Sequence, residues 1–175
     1  MPSFAIAGRA IGIDCPPFVI AEMSGNHNQS LERALAIVDA AAAAGAHALK
    51  IQTYTADTMT LDIATGDFVI QDPGSLWAGR SLHALYDEAH TPWEWHAPLF
   101  ERARSRGLIP FSTPFDETAV DFLETLAAPC YKIASFEMTD LPLIRKAAAT
   151  GKPLIVSTGM ATAGEIDEAV RTARE

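Results

Sequence analysis

Five short apolar runs punctuate the chain: Phe18-Val19-Ile20-Ala21-Glu22, residues 47–53, Leu108-Ile109-Pro110-Phe111-Ser112-Thr113, Cys130-Tyr131-Lys132-Ile133 and Leu154-Ile155-Val156-Ser157. They are continuous rather than alternating, the pattern of parallel strands covered on both faces. Helical periods lie between them. After Ser30 as cap, Leu31, Ala34, Leu35, Val38, Ala41 and Ala42 share one helical face, and Gly45 follows the last turn. Thr91-Pro92-Trp93-Glu94 predicts a helix start with Thr91 as cap and proline in first position, running to about Arg106 and stopping at Gly107. Asp116 caps a helix carrying Val120, Leu123 and Leu126; another spans roughly 141–150 and ends at Gly151; Thr162 and Glu165 form a capping-box pattern before the last. Phe4 to Ile13 alternates around Gly8-Arg9 and predicts a small hairpin, ended by Pro16-Pro17.

Strand–helix repeated five times predicts an α/β fold with a parallel sheet and right-handed crossovers. Two architectures fit: an open doubly wound sheet, or part of an eight-stranded TIM-type (β/α)8 barrel. Residues 55–90 stand apart, being longer than the usual connection of about 2–6 residues. Asp57, Gly66, Asp72-Pro73-Gly74 and Gly79 break them into turns, with one short helix expected over 81–90. Such a segment is either a lid or specificity element or a packed insertion.

Composition narrows the function. The 175 residues are 49% hydrophobic and 20% charged, as in globular domains, and the net charge of −9 disfavours nucleic acid or an acidic membrane surface as partner. Cys15 and Cys130 form no paired motif and read as reduced thiols, which predicts a cytoplasmic protein. The start Met1-Pro2-Ser3-Phe4 has no signal-peptide pattern, and no apolar run approaches the roughly 20 residues of a membrane span. No GxGxxG or P-loop lysine motif follows a strand, and the five histidines show no HxH or HExxH spacing for a metal.

In either architecture the site lies at the C-terminal ends of the strands. The polar residues there are Glu22, Lys50 with Gln52, Ser112 with Thr113, Lys132 with Ser135, and Ser157 with Thr158. A charged lysine in a dry strand is expensive unless an anion or carboxylate lies beside it. Two such lysines with several hydroxyls suit a phosphorylated acid; the alternative is that each pairs with a carboxylate such as Glu22 or Glu137. Lys50 and Gln52 share a strand face, whereas Ser135 and Glu137 have the opposite parity to Lys132 and join the site only if the chain turns after the strand. His27, in the first strand–helix loop, either orients the site or braces the loop. Trp93 and Trp95 read as packing residues on a helix.

The set Ile20-Ala21-Glu22, Asn26-His27-Asn28, Lys50-Ile51-Gln52, Ser112-Thr113-Pro114-Phe115-Asp116, Tyr131 to Glu137 and Ser157-Thr158-Gly159-Met160 resembles the sialic-acid synthase family over nearly the whole chain from Phe18. Within it, Glu22 to Ala34 and Thr53 to Thr60 resemble the pseudaminate branch more than the N-acetylneuraminate branch, whose acceptor is N-acetylmannosamine. The resemblance implies a (β/α)8 barrel that condenses phosphoenolpyruvate with an amino-sugar aldehyde, a 2,4-diacetamido-trideoxy hexose, to a nine-carbon 2-keto acid. C3 of phosphoenolpyruvate attacks the aldehyde, water adds at C2, and phosphate leaves with C–O cleavage. A divalent metal, Mn or Mg, polarises the aldehyde. It further implies that Lys50, Thr113, Lys132, Ser135 and Ser157 hold phosphoenolpyruvate, that Gln52 and Glu137 lie near the sugar and the reacting centre, and that Glu22 is placed for proton transfer, with Glu137 handling the water proton. Family members act as homodimers with eight strand–helix units and an antifreeze-like domain. Against that pattern, residues 1–17 are an N-terminal hairpin and 18–175 the first five units. The metal-binding histidines and the C-terminal part are expected to lie outside this sequence. The half-barrel alone is therefore expected to have free edges and little turnover; a binding or scaffold half-barrel, and a Schiff-base aldolase, stand as the rival readings.

Overall fold

The structure, a computed structural model, describes residues 4–175. β1 (Phe4–Ile6) and β2 (Arg9–Ile11) pair antiparallel, so the alternation does mark a hairpin. Ala7 and Gly8 turn it at φ 48° and 80°, the mirror-image turn whose twist suits paired strands. β3 (Ile20–Glu22), β4 (Ala48–Thr53), β5 (Ile109–Pro114), β6 (Tyr131–Ile133) and β7 (Leu154–Val156) then form one parallel sheet. The helices are α1 (Leu31–Ala43), α2 (Ala56–Met59), α3 (Leu82–Ala89), α4 (Trp93–Ser105), α5 (Glu117–Thr125), α6 (Leu141–Ala148) and α7 (Ala163–Thr172).

Strand order follows chain order, β3-β4-β5-β6-β7. A doubly wound sheet reverses direction at a switch point; this one does not, and it curls into half of a barrel. The two faces bury different residues. Leu49, Ile51, Tyr131 and Ile133 point outward into the main core with Val38, Leu99, Phe100, Leu123 and Leu143 of the helices. Ala48, Phe111 and Cys130 point inward, where Ile6 of the hairpin joins them. The hairpin therefore floors the concave side with apolar groups at the N-terminal ends of the strands.

Cap chemistry sets most boundaries. Ser30 accepts from the Arg33 amide, Asp116 from Ala119 and Asp140 from Leu143, and Thr162 and Glu165 complete both halves of their capping box. Gly45, Gly107 and Gly151 stand at φ 81°, 78° and 72°, left-handed positions that stop a helix and start a strand.

Three expectations change. The first strand is shorter than Phe18–Glu22 and lies at the sheet edge, and Val19 is half exposed rather than covered on both faces. Thr91 does not cap α4. It is buried with its hydroxyl 3.1 Å from His27 Nε2, and Pro92 occupies the boundary with no side-chain cap. A buried imidazole needs a partner more than a helix end beside water does. Residues 55–90 also hold more structure than one helix. Thr55 and Thr58 cap α2 reciprocally, and an isolated bridge, Val69 to Ser81, closes the long turn before α3. The insertion is docked on the β3–α1 loop. Gln29 Nε2 donates to the carbonyls of Glu88 and His90, both at 2.7 Å, and a Cβ on Gly25 would stand 2.9 Å from the Ala89 oxygen.

Candidate functional site

Ala48, Lys50 and Gln52 alternate along the concave side of β4. Ala48 belongs to the apolar floor; Lys50 and Gln52 stand above it towards the C-terminal end. Glu22 is in register with Lys50, and their side chains form an ion pair. Lys50 Nζ also donates to Thr113 Oγ1 at 3.3 Å. Ser112 is in register with Tyr131, so Thr113 comes level with Lys132, between the two lysines. Lys132 Nζ donates to Ser157 Oγ and to the Ile133 carbonyl, each at 2.6 Å.

Lys50 and Lys132 lie within electrostatic reach of each other. The Lys132 ammonium is held below its ordinary pKa, first by burial and then by repulsion from Lys50; Glu137 and Glu22 offset part of this. The alternative in which each lysine pairs with a carboxylate holds for Lys50 only, since Lys132 makes no ion pair among the described residues.

The parity problem at Ser135 and Glu137 is resolved by a turn. β6 ends at Ile133, Ser135 adopts helical angles, and Phe136–Thr139 form a 3-10 turn. Ser135 Oγ is brought against Gly159 beyond β7, where an added Cβ would lie 3.3 Å away. Glu137 is brought within electrostatic reach of Lys132. Its Oε2 is buried and has no hydrogen-bond partner among the described residues. Burial pushes its carboxyl above the ordinary range, and Asp140 adds to this; its own backbone amide and Lys132 hold it back. A carboxyl in this state suits proton transfer.

Gln52 sits at the rim, its Oε1 accepting from Ser24 Oγ at 3.4 Å. Ser24 is a site neighbour that sequence reasoning treated only as loop; no spacing marked it. His27 takes the bracing role. It is fully buried, accepts from the Gln29 amide at Nδ1 and meets Thr91 at Nε2. Ser112, grouped with Thr113 in the sequence, faces outward instead. Its hydroxyl lies 2.6 Å from Thr53 Oγ1, which lies 2.9 Å from His96 Nε2. Trp93 stacks on Phe122 at 4.7 Å and Trp95 edges onto His27 at 5.5 Å, packing roles as expected.

The divalent cation implied by the resemblance finds no ligand set here. Among the described residues no three His, Cys, Asp or Glu side chains converge, and Glu22 is engaged by Lys50.

The sequence model described as the NeuB family matches residues 37–175. The chain is 49% identical over 159 residues to the pseudaminic acid synthase of Helicobacter pylori, covering 91% of this chain and 46% of that protein. It is 50% identical over 149 residues to the pseudaminic acid synthase of Campylobacter jejuni serotype O:2, covering 85% and 43%. The crystal structure of the spore coat polysaccharide biosynthesis protein SpsE from Bacillus subtilis superimposes with a TM-score of 0.78 at 37% identity, over 99% of this chain and 44% of that one. The chain thus spans about half the length of the relatives it matches. With more than half of its residues inside the family's sequence model, the chain belongs to the NeuB family.

Proposed function

We propose that this half-barrel is the phosphoenolpyruvate-holding part of a pseudaminic acid synthase. The observation that carries the reading is the pair Lys50 and Lys132 on one concave surface, with Thr113 between them and Glu137 beside them. Lys50 has Glu22 as counter-charge, whereas the Lys132 ammonium contacts only neutral oxygens among the described residues, so an anion bridging the two lysines supplies the charge that Lys132 lacks. Lys50, Thr113, Lys132, Ser135 and Ser157 hold the phosphate and carboxylate. Gln52 faces the acceptor sugar, a diacetamido-trideoxyhexose aldehyde. A C–C bond forms between C3 of phosphoenolpyruvate and the aldehyde carbon. Water adds at C2, Glu137 takes its proton, and the C2–O bond to phosphate breaks. Glu22, anchored by Lys50, is the second carboxylate available for proton transfer. Both cysteines stand unpaired, Cys130 buried, in keeping with a cytoplasmic setting, and no helix among the described residues is long and apolar enough to cross a membrane.

Titration calorimetry of the 175-residue chain with phosphoenolpyruvate tests this directly. One molecule is expected to bind per chain, with inorganic phosphate binding at least about tenfold more weakly, since it lacks the carboxylate that a second charge-assisted contact engages. Absence of binding, or equal affinity for the two, would overturn the reading. The depressed Lys132 ammonium also fits a Schiff-base lysine. Borohydride with pyruvate separates that second reading: an adduct on Lys132 would favour it, and none is expected.

A further inference from the structure

A cavity of about 340 Å³ beside α7 and a His83–Asp57 contact at 2.8 Å lie away from the chemistry. A cavity of about 320 Å³ opens under Trp77 where the 55–90 insertion meets the β3–α1 loop, and through Gln52 it belongs to the site already described. A further feature lies behind the sheet. His96, Thr53 and Ser112 are fully buried polar side chains that no bound anion touches.

Polar groups in a dry core are costly unless each finds a partner, so such a run has to be complete. It is complete in one order of donation. The Pro92 carbonyl lies 3.1 Å from His96 Nδ1, which assigns the ring proton to that nitrogen. Nε2 then accepts from the Thr53 hydroxyl at 2.9 Å, and Thr53 Oγ1 accepts from Ser112 Oγ at 2.6 Å; the Ile51 carbonyl lies 3.1 Å from the same serine hydroxyl. Burial holds the imidazole pKa at about 4, so Nε2 keeps its lone pair near neutral pH. The run therefore joins α4, β4 and β5.

Its place gains weight from what stands on the other side of the same strands. Side chains alternate, so Thr53 and Ser112 face out while their chain neighbours Gln52 and Thr113 face the concave surface, where the two are register partners. Thr113 stands between Lys50 and Lys132. Its strand is held unevenly. β5 pairs with β4 along Ala48 to Thr53, but with β6 only at Ser112 and Tyr131, and Pro114 has no amide proton to extend that second ladder. The position of Thr113 is thus set from β4, and the Thr53–Ser112 bond is a side-chain tie between the two strands at that level.

We propose that His96 is a positioning residue for the anion site: by accepting from Thr53 it fixes the Thr53–Ser112 tie, and that tie sets where Thr113 and Gln52 stand relative to Lys50 and Lys132. The proposal rests on the phosphoenolpyruvate reading only for the ligand that serves as one of two readouts.

Both readouts use the 175-residue chain. Without ligand, His96→Leu is expected to shift the NMR signals of the Thr113 methyl and the Gln52 side-chain amide. Leu99→Val, which opens a small cavity under the same helix, is expected to leave them in place. By calorimetry, His96→Leu is expected to weaken phosphoenolpyruvate binding about tenfold, the loss of one hydrogen bond to a charged group. Leu99→Val should change it by less than about twofold, as a site that shares no partner with the run. His96→Gln, whose side-chain carbonyl still accepts from Thr53, is expected to stay within about threefold of the unsubstituted chain. Unmoved signals in His96→Leu, equal shifts in Leu99→Val, or an affinity loss in His96→Gln as large as in His96→Leu would each overturn the positioning role. Failure of phosphoenolpyruvate to bind the unsubstituted chain would instead overturn the reading above, and the NMR comparison would still decide the role of His96.

Discussion

Lys132→Met is expected to weaken phosphoenolpyruvate binding by at least about 30-fold, because truncating one partner of a desolvated charge pair commonly costs about 2–5 kcal/mol. The same substitution is expected to leave the unliganded fold as stable as before, or more stable. Methionine fills a similar volume without a charge that burial and Lys50 both disfavour. The sign of the pH dependence follows from the depressed ammonium. Between its folded-state value and the ordinary 10.5, the unfolded chain binds more protons than the folded one, so stability gains from Lys132 as pH rises through that window. The gain should vanish in Lys132→Met. Binding has the opposite slope: an anion restores the proton to Lys132, so affinity falls as pH rises through the unliganded value. Calorimetry for affinity, with urea unfolding for stability, checks both. A variant that lost binding only by unfolding would contradict the account.

The unsubstituted chain is expected to lose about 3 kcal/mol of stability between pH 6.5 and pH 4 through His96 alone, because burial opposes the proton that the unfolded chain takes up freely. His96 is fully buried, and burial holds its pKa at about 4 against 6.5. Above 6.5 it is neutral in both states. As pH falls, the unfolded chain takes up the proton first, and stability drops until the folded pKa is reached. The consequence reaches the site through one chain of contacts. His96 holds Thr53, Thr53 holds Ser112, and these are the neighbours in sequence of Gln52 and Thr113. Urea unfolding at a series of pH values checks it, read as the difference between the unsubstituted chain and His96→Gln. On acidification the unsubstituted chain should lose stability relative to His96→Gln, so its advantage over the variant shrinks; a difference that stayed constant would remove His96 from the account. Subtraction cancels the other titrating groups, Glu137 and His27 included.

Much of the fold was legible because its determinants are local. Ser30, Asp116 and the Thr162–Glu165 pair cap where their side chains can reach an amide, and Gly45, Gly107 and Gly151 stop helices for steric reasons that need no tertiary context. Barrel and open sheet could not be told apart by period, since both demand the same strand–helix alternation; strand order decides, and order is a tertiary property. The lysines were legible because ammonium groups in apolar strands are anomalous. Ser135 and Glu137 were not placed by parity, because a turn after Ile133 ends the two-residue period on which parity depends. The His96–Thr53–Ser112 chain was invisible for a related reason: a histidine in α4 reads the same whether it faces water or a strand. The cavity under Trp77 joins segments some fifty residues apart, and its walls exist only once the insertion has docked.

The central claim is that Lys50 and Lys132 serve one anion. Lysine side-chain NMR, assigned with single Lys→Met variants, tests it most directly while phosphoenolpyruvate is titrated in. Both Nζ signals are predicted to move together along one saturation curve, with Lys132 gaining proton occupancy at alkaline pH. Movement of one signal alone, or two curves with separate midpoints, would contradict it.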